Sequence, residues 1–167
     1  WQLRFFQTVL LCSLGYATHA LLDAATSYGT QLLWPFSETR YSWNIISIVD
    51  PLFTLPLLLS VAMAAMYNNP NIARIGLVWA LLYLCTGFIQ HEGARQTAVN
   101  LAASRGHVPL RFEIKPSFGN IVLWKSVYEV KDKFFIDAVR VGIAPKVYKG
   151  TSLSKLNLER DFPWLTP

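Results

Sequence analysis

Charge is what this sequence has least of. Only 15% of its 167 residues are Asp, Glu, Lys or Arg, against 53% hydrophobic residues, where a soluble domain carries about 25% charged residues. Between Phe5 and Gln90 there are five: Asp23, Glu38, Arg40, Asp50 and Arg74. Helices this poor in charge lack a polar side to turn to water, which argues against a soluble helical protein. Cysteine is scarce as well. Cys12 and Cys85 both stand inside apolar runs, a placement that suits neither a disulfide framework nor a metal motif, so both are expected to be small buried hydrophobes. A Gly-x-Ser-x-Gly elbow, a Gly-rich phosphate loop and a Cys-x-x-Cys pair are all missing. Their absence weakens serine-hydrolase, nucleotide-driven and zinc-ribbon readings.

The charges that do exist are gathered at one end. From His91 to Pro167 there are twelve Lys or Arg and seven Asp or Glu, an excess of five that equals the net charge of the whole chain. Apolar residues and charges therefore occupy different halves. The apolar half holds three candidate membrane spans: Phe5 to Leu22, Pro51 to Ala73, and Ile75 to Gln90. A helix needs roughly 20 mostly apolar residues, and at least about 17, to cross the hydrocarbon core. The turn Asn68-Asn69-Pro70-Asn71 falls at the close of the second. Trp34, Phe36, Tyr41, Trp43 and Tyr67 lie between or beside the spans, where ring and polar edge both suit a membrane interface. The chain opens on Trp1 and leads at once into an apolar helix, so further sequence is expected ahead of it. A signal peptide is not expected, because no small-residue cleavage site follows and His19 and Asp23 do not suit one.

Arg95, Arg105, Arg111 and Lys115 follow the third span closely, whereas the loop from Asn68 to Arg74 has one basic residue. The positive-inside rule then puts the tail, and by alternation the loop from Trp34 to Asp50, in the cytoplasm. After a polar helical stretch from Gly93 to Ser104, the period changes to two: Val108, Leu110, Phe112 and Ile114 alternate with polar residues or proline, as in a half-buried strand. Ile121–Val130 and Lys133–Val141 make two more, joined by a short turn that favours an antiparallel meander. The stretch from Pro145 to Pro167 reads as irregular and basic. Attraction to anionic membrane lipids accounts for the basic surplus, and no nucleic-acid recognition motif is present. The expected architecture is thus a mainly α-helical membrane protein with three transmembrane helices and a small C-terminal antiparallel β-rich domain. Its divisions are 1–92 for the helical region, 93–106 for a connecting helix, and 107–167 for the β-rich surface domain.

Chemistry points to the end of the first span. His19 and Asp23 are four residues apart and share a helical face, with Thr26 on the same side. An imidazole and a carboxylate so placed can ligate one divalent metal, zinc or a neighbouring first-row ion. Asp23 can instead orient the imidazole, or the pair can simply hold helices together. Ionisable groups in a membrane helix are costly, which marks them for function. Asp50-Pro51 reads as a helix cap followed by proline at the first helical position. The topology also puts Asp50 at the same face as His19 and Asp23, where it can converge on them as third ligand or general base. Gly29 is expected to allow a backbone bend at the mouth of that site. His91 reads as an interfacial residue near a helix C-terminus, with a further metal ligand as the alternative, and His107 as a solvated turn residue.

The run from Thr18 to Ser37, THALLDAATSYGTQLLWPFS, with Asp-Pro some distance behind it, resembles a bacterial inner-membrane family. That family is the LexA-regulated, membrane-bound, predicted metal-dependent hydrolases, the YdjM-like proteins. Its His-x-x-x-Asp helix, Thr-x-Tyr-Gly turn, Pro-Phe pair and later Asp match His19, Asp23, Thr26, Tyr28, Gly29, Pro35, Phe36 and Asp50. Pro116, Asn120 and Trp124 resemble the tail of its longer members. The family's earlier His-Arg…Thr-His element has no counterpart ahead of His19, so it either precedes Trp1 or has been lost. A fainter similarity, in the His-x-x-x-Asp pair, links the chain to zinc-dependent phospholipases C and P1-type nucleases. The resemblance implies a hydrolase at the bacterial inner membrane, with a divalent metal, zinc foremost, on His19, Asp23 and Asp50. Asp23 and Asp50 are its candidate catalytic carboxylates, and a lipid or phosphoester is its substrate. The competing expectation is a non-enzymatic membrane protein, a transporter component or scaffold, whose polar residues join helices.

Overall fold

The computed structural model describes residues 4–162 and Trp164. The outermost ends of the first and last expected divisions, residues 1–3, 163 and 165–167, lie outside them. The elements run α1 (Phe5–Ala25), α2 (Pro51–Met66), α3 (Pro70–Ser104), β1 (Arg111–Pro116), β2 (Leu123–Val130), β3 (Lys133–Arg140), β4 (Lys146–Ser154) and the short α4 (Leu158–Asp161). They fall into two compact units. One comprises residues 1–89 with 116–121, and the other residues 90–115 with 122–167.

In the first unit α1 and the apolar part of α3 are long and apolar enough to cross a membrane. The expectation of three spans is not met. The second expected span, Pro51 to Ala73, is divided: α2 stops at Met66 after 16 residues, and α3 starts at Pro70. Sixteen residues rise about 24 Å, short of the roughly 30 Å of hydrocarbon. The break lies where Asn68 takes a left-handed φ of 50°, a conformation Asn tolerates, and Pro70 supplies the fixed φ that starts the next helix. α2 and α3 then run antiparallel. Phe53 meets Tyr83 with ring centroids 5.7 Å apart, and Gly76 lies so close to Ser60 that an added Cβ would come within 1.9 Å of its Oγ. Cys12 and Cys85 are free thiols exposed on the helices, not buried as expected. Such exposure costs nothing where lipid replaces water.

The second unit is built on the C-terminal part of α3 and a four-stranded sheet in the order β1-β2-β3-β4. β2 pairs antiparallel with β3, and β3 with β4. The polar stretch after Gln90 does not form a separate helix but continues α3 without a break. Ala94, Ala98 and Ala102 explain this, since they repeat every four residues and are all buried. The core is Trp124, Tyr128, Val139 and Ile114. Val108 and Leu110 are exposed and precede the strand they were expected to begin. Part of what reads as an irregular tail is regular: β4 takes up Lys146–Ser154 and the short α4 Leu158–Asp161. β4 is an exposed edge, and Gly150 is required there, because a Cβ would sit 2.1 Å from the Ile136 carbonyl oxygen.

Candidate functional site

The end of α1 is finished by the loop that follows it. Helix C-termini leave carbonyls without partners, and here the chain folds back to supply them. Trp43 N–H donates to Ala24 C=O at 2.8 Å, and Ile45 N–H to Ala25 C=O at 2.8 Å. Thr26 Oγ donates to the Asp23 carbonyl at 2.7 Å and accepts from Tyr28 N–H, while Ser42 Oγ donates to Thr26 C=O. Gly29 has φ of 84°, where a side chain is strained, and its carbonyl accepts from Arg40. The Thr-x-Tyr-Gly run thus fixes a return loop. Leu33, Trp34 and Phe36 at its far end are exposed.

Against this frame α1 presents His19 and Asp23 together. Nε2 of His19 lies 3.5 Å from Oδ2 of Asp23, with the side chains 71% and 46% exposed. Two donor atoms bound to one zinc at about 2.0–2.1 Å are roughly 3.3 Å apart in a tetrahedral site. The pair therefore has the spacing of one edge of such a site and supplies two of the three or four protein ligands that zinc takes. Neither partner is locked elsewhere by burial.

Asp50 takes a different position. It is 3% exposed. Oδ1 accepts from the backbone N–H groups of Leu52 and Phe53, capping α2, and Oδ2 accepts from the Tyr83 hydroxyl at 2.8 Å. The carboxylate so joins the start of α2 to the middle of α3. It is not brought into one cluster with His19 and Asp23: among the described residues no group of three His, Cys, Asp or Glu is placed to hold a metal ion. Sequence reasoning found the cap but missed Tyr83. An aromatic in an apolar run carries no sign that its hydroxyl has a buried partner 33 residues away.

Beside the pair lies a cleft of about 670 Å³, bounded by α1, α2, α3 and the return loop. Its walls include Leu22, Phe53, Leu57 and Leu84, and its polar side chains are Thr18, His19 and Trp43. Thr18 spends its hydroxyl on the carbonyls of Leu14 and Gly15. His19 is thus the titratable group at the edge of an otherwise apolar space.

The second unit has its own polar cluster. Arg105 forks onto Asp137, Nη1 to Oδ2 at 2.6 Å and Nη2 to Oδ1 at 2.9 Å, and Nη1 also donates to the Tyr128 hydroxyl. His107 Nδ1 lies 3.0 Å from that hydroxyl, and its ring packs 4.4 Å from Phe135. The expected solvated histidine is therefore part of a packed network. Burial alone would push the Asp137 carboxyl up, but the bonds from Arg105 and Gly150 N–H outweigh it and hold it below the ordinary carboxylate range. His91, expected near a helix end, is mid-helix because α3 continues, and its ring meets the edge of Trp124 at 5.4 Å.

Long apolar helices, a return loop edged with exposed aromatics and an ionisable pair beside an apolar cleft define a helical membrane protein. The chain belongs to the YdjM inner membrane protein family, whose model matches residues 1–94. That match spans α1, the return loop, α2 and α3 as far as Ala94, and with the two apolar helices it fits a place in the membrane. No curated protein and no solved structure matches the chain.

Proposed function

We propose that this protein is a metal-dependent hydrolase of the bacterial inner membrane, acting on a lipid or phosphoester at the cytoplasmic face. The observation that carries the proposal is the His19–Asp23 pair, 3.5 Å between donor atoms, at the rim of an apolar cleft. His19 Nε2 and Asp23 Oδ2 are the ligands in this reading, with zinc the best suited ion by donor type. When bound, the ion supplies an acidified water and polarises a phosphoryl or acyl oxygen. The residues of the chain do the rest. Asp23 also bears the negative charge that offsets the ion, and the cleft lining limits water around it. Asp50 was the candidate third ligand or general base. With both oxygens engaged, it is assigned here to holding α2 against Tyr83, and a role as base would require release of that hydrogen bond.

The test is turnover. The full chain in liposomes, supplied with zinc, should hydrolyse a chromogenic phosphodiester or a phospholipid, and His19→Ala should abolish the reaction. Absence of turnover across both substrates and several divalent ions would reject the hydrolase. The non-enzymatic reading rests on the Asp50–Tyr83 bond, a polar contact that joins helices without chemistry, and it predicts no turnover and no bound ion.

A further inference from the structure

The cleft beside His19 is larger than packing defects in a well-filled interior and falls in the size range of ligand sites. Its volume is about 670 Å³. The lining disfavours a polar solute, which would find few partners: Thr18 has used its hydroxyl within α1, Trp43 offers a single N–H, and Leu22, Phe53, Leu57 and Leu84 offer only carbon. A slender apolar chain with its polar end at His19 suits such a lining.

We infer that the cleft holds one acyl chain of a membrane lipid, entering from the bilayer, with the lipid's ester or phosphoester group at the His19–Asp23 rim. This deepens the hydrolase reading by naming its substrate class, a lipid held by its tail, and it rests on that reading for the chemistry alone. Moving an acyl chain from bilayer to cleft brings no hydrophobic gain, since lipid tails are as apolar as leucine. Selectivity then comes from shape and from the polar group that the tail delivers to the rim. Gly15 fits this account. It lies on the cleft wall, and a Cβ built on it meets nothing within 4 Å. A small residue there keeps the space open, although any other residue except proline would favour the helix more.

Gly15 also provides the test. Full-length protein in phosphatidylcholine nanodiscs is photolysed with a phosphatidylglycerol that carries a diazirine near the end of one acyl chain. Adducts are then mapped by mass spectrometry. The inference expects adducts concentrated on Leu22, Phe53, Leu57 and Leu84, above those on outward-facing Leu58, Leu59 and Leu82. In Gly15→Phe, which fills the cleft without meeting a neighbour at Cβ, the lining adducts fall to the outward level; Gly15→Ala retains them. A melting curve shared by the three proteins shows that the fold is kept. Uniform adducts over lining and outward residues, adducts insensitive to Gly15→Phe, or lining residues shielded from the probe by protein would each overturn the inference. The two readings fail separately. Selective adducts without turnover uphold the acyl-chain site and reject the hydrolase, whereas turnover without selective adducts upholds the hydrolase and rejects this site.

Discussion

At the scale of single residues, Asp23 and Asp50 are both carboxylates of the helical unit, yet the structure gives them opposite surroundings. Asp23 is half exposed beside His19, and Asp50 is buried between a helix cap and a tyrosine. Asp23→Asn keeps the shape but removes the charge a divalent ion needs, so metal content should be lost. Asp50→Asn still offers an acceptor to the α2 amides, so metal content should persist while stability drops. Equal metal loss in both variants, measured on folded protein, would return Asp50 to the ligand set. Tyr83→Phe should cost about 1–3 kcal/mol, because it leaves a buried Asp50 oxygen short of a partner; a thermal melt in detergent reads this as a lowered midpoint. The His19–Asp23 pair was legible because four residues on a helix always share a face. The Asp50–Tyr83 bond was not, because it depends on how two helices pack.

Among the elements, the return loop and the sheet edge carry the sharpest consequences. Gly87 lies where a Cβ would be 2.8 Å from the Ile45 carbonyl oxygen, a backbone atom fixed by its neighbour's bond to α1. Gly87→Val should therefore push residues 44–46 away from α3 and expose them to proteolysis, with a lower melting midpoint; unchanged cleavage would show that the loop is free to yield. In the other unit, Arg105 and Asp137 form a bidentate pair in which Asp137 is buried. Breaking such a pair costs about 3–5 kcal/mol, so Asp137→Asn should loosen β3 and β4, read as faster amide exchange there. The folded-state pKa of Asp137 is depressed. Its stabilisation is therefore present above the unfolded value of roughly 3.9 and is lost as pH falls further, through the folded value. Exchange in β3 should be flat from neutral pH to about 5, after correction for intrinsic rates, and rise below 4. The three earlier strands were legible from β-branched and aromatic residues in period two. β4 was not, since Lys146, Lys149, Thr151 and Ser152 lie on an exposed edge where no alternation is enforced. The short α2 was hidden in a different way. Its apolar run continues past the turn, and composition alone does not show where a left-handed Asn68 ends a helix.

For the molecule as a whole, the separation of apolar and basic halves in the sequence reappears as a helical unit and a sheet unit. By the positive-inside rule, the basic excess behind α3 predicts a cytoplasmic tail, and alternation of the expected spans predicts the same side for the loop after α1. A single cysteine at Ser37 and one at Ser152, each in Cys-free protein, should react with an impermeant maleimide from the same face of the inner membrane; labelling from opposite faces would reverse one of them. The proposed chemistry nevertheless depends on one ion more than on sidedness. Protein purified from membranes without chelator, then analysed by inductively coupled plasma mass spectrometry, should contain one divalent metal per chain. His19→Ala and Asp23→Asn, folded by their melting curves, should contain less than a tenth of that, a deeper loss than the roughly 10–100-fold weakening from an outer partner would cause at saturating metal. Full metal occupancy in both variants, or none in the parent protein after reconstitution with zinc, would contradict the metal-dependent hydrolase.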